Sequence, residues 1–276
     1  MSDAGAEVAH AKINLALHVR ARNPDGYHAI ETLFAFAADG DLLRAEIGEE
    51  ITLSVTGPFA PALAGEGDNL VLRAARALRA AFGIGQGAAI HLDKHLPVAS
   101  GIGGGSADAA ATLRLLTRLW GLPGDDPRLG AIARELGADV PACLLSKSCR
   151  GDGRGDQLRL VNDAQFRGMP LLLVNPGVAV ATGPVFAGWD RVDRGALGEG
   201  FDAALAGRND LEAPARAIAP AIGAVLGILR DQTGVRLARM SGSGATCFAL
   251  FADIAARDAA EATLDASWWR LKTVLI

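Results

Sequence analysis

Residues 8–19 alternate without a break. Ala9, Ala11, Ile13, Leu15, Leu17 and Val19 share one face, and His10, Lys12, Asn14, Ala16 and His18 share the other. A period of two predicts a strand with one buried face and one polar face; water on the polar face is the plain reading, but a scarce lysine with a nearby Asn on that face weighs against it. Asn23-Pro24-Asp25-Gly26 is a turn signal, and a second strand-like run follows at residues 27–36. Residues 51–55 read as a short strand. Residues 68–82 read as a helix, capped by Asp68, striped by Val71, Ala74, Ala75, Leu78 and Phe82, and ended by Gly83. Residues 88–92 return to strand. A glycine-rich stretch comes next, and then a helix with Ser106 as cap, a stripe of Ala109, Leu113, Leu116 and Trp120, and Gly121 as stop. A third helix has Asp126 as cap, Pro127 at its first position and Gly137 at its end.

The second half is richer in strands. Residues 151–156 form a turn between two strand-like runs; their Arg154-Gly155-Asp156 triplet is hairpin chemistry rather than an adhesion motif. A strand at 170–174 stops at Asn175-Pro176-Gly177. Asn209 and Glu212 stand at capping-box spacing before a helix. Strands at 236–240 and 246–251 flank Ser241-Gly242-Ser243-Gly244-Ala245, and a last strand covers 271–276. The expected class is α/β (α+β) with two domains, 1–165 and 166–276.

Composition narrows the reading. The chain has 276 residues, 50% hydrophobic and 21% charged, enough for two ordinary domains. No apolar run reaches the length of about eighteen that a membrane span needs, and the acidic start lacks the basic region of a signal peptide. A net charge of −4 with no long basic run argues against nucleic acid as a partner. Cys143, Cys149 and Cys247 form no C-x-x-C pair, which suits a reducing cytoplasm. Lysine is scarce: Lys12, Lys94, Lys147 and Lys272 are the only four.

The glycine-rich stretch is the strongest chemical signal. Residues 100–106 hold four glycines and two serines before a helix. Glycine lets backbone approach a ligand, and a helix start offers unpaired N–H groups, so together they suit phosphate. A Walker A loop is excluded, because no Gly-Lys dipeptide occurs. A dinucleotide fingerprint fits poorly: Ser106 stands where its third glycine belongs, and Asp125 and Asp126 lie in a turn. Asp139 precedes Val140-Pro141 as a candidate helix cap.

The run Pro97, Val98, Ala99, Ser100, Gly101, Ile102, Gly103, Gly104, Gly105, Ser106, Ala107 resembles the central motif of the GHMP kinases, roughly P-x-x-x-G-[LI]-G-[SG]-[SG]-[SA]. Residues 11–15, around Lys12 and Asn14, resemble the superfamily's first motif. Asp25-Gly26-Tyr27-His28, with Thr32-Leu33-Phe34 after it, is similar to a hallmark of the methylerythritol kinase branch. Gly137-Ala138-Asp139-Val140-Pro141 resembles that branch's catalytic aspartate segment, although Ala142 and Cys143 stand where members often carry aromatics. Residues 241–245 resemble the third motif.

The resemblance implies a ribosomal-S5-like N-terminal domain, a ferredoxin-like C-terminal domain and an active site between them. It implies ATP, brought as Mg-ATP, with Ser106 the one motif candidate for a metal ligand. Ser241, Gly242, Ser243 and Gly244 would approach the phosphates, and Asn69 and Lys94 would border the adenine. Asp139 would take a hydroxyl proton and Lys12 would stabilise developing charge. Asn14, Tyr27, His28, Thr182 and Phe186 would hold a small-molecule substrate bearing a cytidine diphosphate group, with Tyr27 and Phe186 sandwiching the cytosine. The implied enzyme is cytoplasmic, a monomer or weak homodimer, and serves the non-mevalonate route to isoprenoids. A kinase for a sugar, homoserine or mevalonate is the near alternative; a non-catalytic ligand sensor on the same fold is the distant one.

Overall fold

A computed structural model describes residues 5–64 and 69–276. The chain forms two compact units that do not follow chain order. One takes Met1–Ala11, Asp39–Val98 and Gly103–Ser146, as far as those residues are described; the other takes Lys12–Ala38, Ala99–Ile102 and Lys147–Ile276. Two long strands, β1 (Ala6–Arg22) and β2 (His28–Gly48), contribute to each.

In the first unit the later part of β2 runs antiparallel to β4 (Gly87–Asp93), with Ala45 opposite Ile90, and β4 runs parallel to β3 (Ile51–Thr56). The parallel pair needs a crossover, and α1 (Leu70–Phe82) supplies it. Its cap is Asn69, whose Oδ1 accepts from the Val71 N–H, and it ends in left-handed Gly83; Asp68 lies outside the described residues. Next come α2 (Gly104–Leu119), α3 (Pro127–Leu136) and α4 (Val140–Leu145). Asp126 and Pro127 start α3 as the sequence predicts. Ser106 does not cap α2: the helix begins two residues earlier, after Gly103, so Ser106 lies within its first turn. Small side chains let α2 run through the core, buried at Ala107, Ala109, Ala110, Ala111, Leu113, Leu115 and Leu116, with α1 and α4 against it.

In the second unit the early part of β2 pairs with β5 (Cys149–Asp152), Thr32 opposite Gly151. A hairpin joins β5 to β6 (Gln157–Leu160), as the turn residues predict. A four-stranded antiparallel sheet follows, in the order β10-β7-β9-β8: β7 (Pro170–Asn175), β8 (Val235–Met240), β9 (Cys247–Phe251) and β10 (Trp269–Val274). Between β7 and β8 lie α5 (Thr182–Ala187), α6 (Gly200–Ala206), α7 (Glu212–Ile218) and α8 (Ala221–Arg230); α9 (Ile254–Glu261) precedes β10. Numbered by sequence, these strands run 4-1-3-2, the ferredoxin-like order. Leu172, Val174, Leu226, Leu229, Phe251 and Trp189 centre its core.

The polar face of β1 is buried, as its scarce lysine suggests: Lys12, Asn14 and His18 are 3%, 2% and 2% exposed. One expectation is corrected here. The capping box at α7 does not form. The helix starts at Glu212, Asn209 Oδ1 accepts from Leu211 N–H, and the Glu212 carboxylate pairs with Arg230.

His18 explains part of the burial. Its Nδ1–H donates to the Gly195 carbonyl (3.1 Å), and its Nε2 accepts from the Arg208 backbone N–H (3.3 Å), an arrangement only the neutral ring can make. Burial, and then the Arg208 charge, hold its pKa below the ordinary value of 6.5. As pH falls below that value the unfolded chain takes up a proton that the folded one refuses, so stability is full above the window and declines through it. Thermal melts between pH 7.5 and 5 should show wild type losing more stability than His18→Gln; equal losses would refute this role.

Candidate functional site

Gly101 has φ +80°, and a Cβ there would stand 2.5 Å from Ser241 O, 2.7 Å from Gly244 O and 2.8 Å from Gly244 N. Gly242, with φ +54°, would in turn press its Cβ to 2.8 Å from Gly101 O. The two glycine stretches therefore touch backbone to backbone, a contact that only residues without side chains permit. Thr246 N–H donates to Ser100 O, and Ser241 Oγ donates to Gly101 O, both at 3.0 Å. Ala99 is left-handed as well, at φ 51°, and Gly103, at φ +63°, turns the chain into α2. Ile102 is buried. Gly104, Gly105, Ser106 and Ala107 are the opening residues of α2, whose first N–H groups have no partners within the helix.

Lys12 and Asn14 join this arrangement from β1. Lys12 Nζ donates to Asn14 Oδ1 (2.9 Å) and lies 5.2 Å from the centre of the Phe34 ring, within cation–π range. Asn14 Nδ2 donates to Thr32 Oγ1 (2.8 Å), and Thr32 passes its own proton to Ala16 O (2.7 Å). The Asn14 backbone N–H donates to Ser241 Oγ at 3.2 Å. One chain of bonds thus runs from Asn14 through Ser241 to Gly101. The Lys12 backbone N–H also donates to Ile102 O (3.0 Å).

Residues 241–246 are pinned from further sides. Asn209 Nδ2 donates to both Met240 O and Gly242 O at 2.8 Å, and Asn175 Nδ2 donates to Thr246 Oγ1 at 2.9 Å. Thr182, at the start of α5, shares a hydrogen bond with Ser243 (3.0 Å). Phe186 lies four residues further along the same helix. Its ring is 4.9 Å from that of His28, which also meets the Trp189 edge at 5.9 Å. Burial and the nearby Arg22 charge lower the His28 pKa, so the ring is neutral at pH 7 and can both donate and accept. Tyr27 is 51% exposed, and the Arg154 guanidinium stacks 3.7 Å from its ring centre. Phe186 is therefore paired with His28, and Tyr27 with Arg154.

The first unit holds the remaining candidates. Asp139 occupies the N-cap position of α4, but its side chain accepts none of that helix's N–H groups. Asn69 spends its Oδ1 on capping α1. Pro97 and Val98 lie between β4 and the glycines. Lys94, expected beside an adenine, is 1% exposed, and its ammonium meets two carboxylates, Asp41 and Asp108. The ammonium is committed to the interior. Sequence reasoning missed Asp41, Asp108, Thr32 and Asn175. A signal for Asp41 existed: it has the same strand parity as buried Leu43 and Ala45. Among the described residues, no three His, Cys, Asp or Glu side chains gather as a metal site, and no helix is long and apolar enough to cross a membrane.

A phosphate-type glycine loop, a second glycine turn against it, a buried lysine network and a ferredoxin-like sheet define a class. The GHMP kinases N terminal domain matches residues 69–147, and the GHMP kinases C terminal domain matches residues 193–269. The chain is thus a GHMP-type kinase, an ATP-dependent phosphotransferase with an alcohol acceptor, in a two-domain GHMP fold. A 4-diphosphocytidyl-2-C-methyl-D-erythritol kinase of Rhizorhabdus wittichii is 60% identical over 98% of this chain and 94% of its own. A crystal structure of 4-(cytidine 5'-diphospho)-2C-methyl-D-erythritol kinase is 33% identical, with a TM-score of 0.82 over 98% of this chain and 99% of the other. A homoserine kinase from Cytophaga hutchinsonii shares the fold alone, at 18% identity and a TM-score of 0.69 over 97% and 95% of the chains. Within the GHMP kinases this chain belongs to the 4-diphosphocytidyl-2-C-methyl-D-erythritol kinase family.

Proposed function

We propose that the chain transfers the γ-phosphoryl group of ATP to the 2-hydroxyl of 4-diphosphocytidyl-2-C-methyl-D-erythritol, giving the 2-phosphate and ADP. The observation that carries this reading is the bond chain from Asn14 through Ser241 to Gly101, which ties the lysine network to both glycine stretches. Phosphoryl transfer asks mainly for positioning and charge stabilisation. Backbone N–H groups of residues 101–106 receive the phosphates, and residues 241–244 support them. Asp139 takes the hydroxyl proton, and Lys12 stabilises negative charge as it develops. Magnesium would come with ATP, the Ser106 hydroxyl is the group of this chain that would hold it, and its charge would offset that of the phosphates.

Cytosine presents an amino donor beside ring acceptors. A neutral His28 can meet both kinds, while Tyr27 and Phe186 supply stacking faces. Thr182 and Asn14 contact the rest of the substrate. By family motif, the nucleotide-binding domain is assigned to residues 1–165 and its C-terminal companion to 166–276, a division by sequence that differs from the compact units. The setting is the cytoplasm, in keeping with three buried cysteines and no C-x-x-C pair, and the enzyme works without nucleic acid, as a monomer or weak homodimer.

The test is ADP release with Mg-ATP, comparing the full substrate with the same compound lacking cytidine. Turnover is expected only with the cytidine-bearing compound. Equal turnover would discard the Tyr27, His28 and Phe186 assignment, and no turnover with either would overturn the substrate.

A further inference from the structure

Trp189 lies beside the rings assigned to the base, yet neither phosphoryl transfer nor the stacking assignment gives it a part. It stands two residues beyond α5 and is 6% exposed. The imidazole of His28, the first residue of β2, lies against both it and Phe186. Its centre is 4.9 Å from the Phe186 ring at an interplanar angle of 38°, and 5.9 Å from the Trp189 ring at 82°. The end of α5 sets the spacing of those two outer rings. Trp189 N–H donates to Phe186 O at 3.2 Å, and Gly188 N–H donates to Pro184 O at 3.0 Å. A Cβ on Gly188 would stand 2.9 Å from Pro214 Cβ, so this turn is seated on α7.

His18 and His28 are held in different ways. Both ring nitrogens of His18 are hydrogen-bonded. The His28 ring has no hydrogen-bond partner among the described residues; its contacts are with the two aromatic rings. Packing therefore orients it. The torsion that turns an imidazole about its Cβ–Cγ bond is broad and roughly two-fold. A half-turn puts a carbon where each nitrogen stood, so a base that bonds a ring nitrogen in one orientation meets C–H in the other. Rings at 38° and 82° obstruct different parts of that rotation. Packing alone does not explain an indole at this position. Its Nε1 is buried without a hydrogen-bond partner, and a phenyl or leucine side chain would fill a core site without leaving a donor unpaired.

We propose that Trp189 is a positioning residue for base recognition: with Phe186 it locks the His28 ring in one orientation, so that the same imidazole edge is always turned to the cytosine. This rests on the reading that His28 meets the base. Trp189 acts on acceptor affinity through His28 and leaves the phosphoryl step alone.

The experiment is steady-state kinetics of Trp189→Leu and Trp189→Phe, each with a melting curve. Trp189→Leu should raise the acceptor KM by about tenfold, the worth of one well-placed hydrogen bond, with kcat and the KM for ATP level. Trp189→Phe keeps a flat ring in place and should fall between wild type and Trp189→Leu. In a His28→Ala background Trp189→Leu should raise the acceptor KM no further, because the two residues act as one unit. An unchanged acceptor KM in Trp189→Leu overturns the proposal, as does a matching rise in the KM for ATP, a matching loss of kcat, or additive effects in the double variant. Tryptophan emission gives a readout that does not depend on the leucine variant folding. Acceptor added without ATP should change the emission of wild type much more than that of Trp189→Phe; an equal change in both overturns the proposal. His28→Ala by itself separates the two readings. A level acceptor KM there discards the base-recognition reading and this proposal with it; a raised KM there, with a wild-type KM in Trp189→Leu, overturns this proposal alone.

Discussion

Asp139→Ala should lower kcat by about 10²–10⁴-fold, the usual cost of a lost general base, and leave the fold in place. The structure separates the two effects. The start of α4 is held by backbone bonds, Val140 N–H to Gly137 O and Cys143 N–H to Asp139 O, which alanine keeps. The Asp139 carboxylate caps no N–H of that helix, so its removal forfeits none of the roughly 1 kcal/mol a side-chain cap contributes. Asp139→Asn sharpens the test, because the amide has nearly the same shape and cannot take the proton. Steady-state kinetics with a melting curve would decide it. Near-normal kcat in a folded variant would remove Asp139 from the mechanism. A kcat loss matched by a collapsed melting temperature would make it a structural residue.

Gly101→Ala is expected to damage both nucleotide affinity and stability. The new methyl would meet three backbone atoms of residues 241 and 244 at under 3.0 Å, and none of them is the end of a flexible side chain. Left-handed backbone adds about 1–2 kcal/mol for a residue with Cβ, and overpacking about 1–3 kcal/mol more. The glycine stretches must part, which breaks the Ser241-to-Gly101 bond and the support of Asn14. Gly83→Ala is the control: φ is +64° there too, but nothing lies within 4 Å of the added carbon. It should cost the backbone strain alone. If the two variants melt together and Gly101→Ala keeps its KM for ATP, the close contact between the stretches carries no function.

Much of this was legible from local signals. Period two marked β1, and the Asp126-Pro127 and Gly83 signals bounded their helices as structure does, because caps and periods are properties of adjacent residues. The glycine stretch carries the expectation of a phosphate site, since few other reasons place three glycines beside a helix start. The start of α2 was misplaced at Ser106 because a good cap residue outweighed glycines, yet Gly103 could take the left-handed turn first. Asn209 read as a cap, and it does bond Leu211 N–H, but its amide also holds Met240 O and Gly242 O thirty residues on.

The sequence by itself determined the class of strands and helices, the order of the motifs and the candidate residues for the chemistry. Only the tertiary structure decided that the polar face of β1 is buried, that Gly101 lies against residues 241–244, and that Lys94 is shared by Asp41 and Asp108. The physical reason is range. Propensity, capping and periodicity act between near neighbours, whereas the cost of a buried charge depends on which distant group reaches it, and no local pattern records that partner.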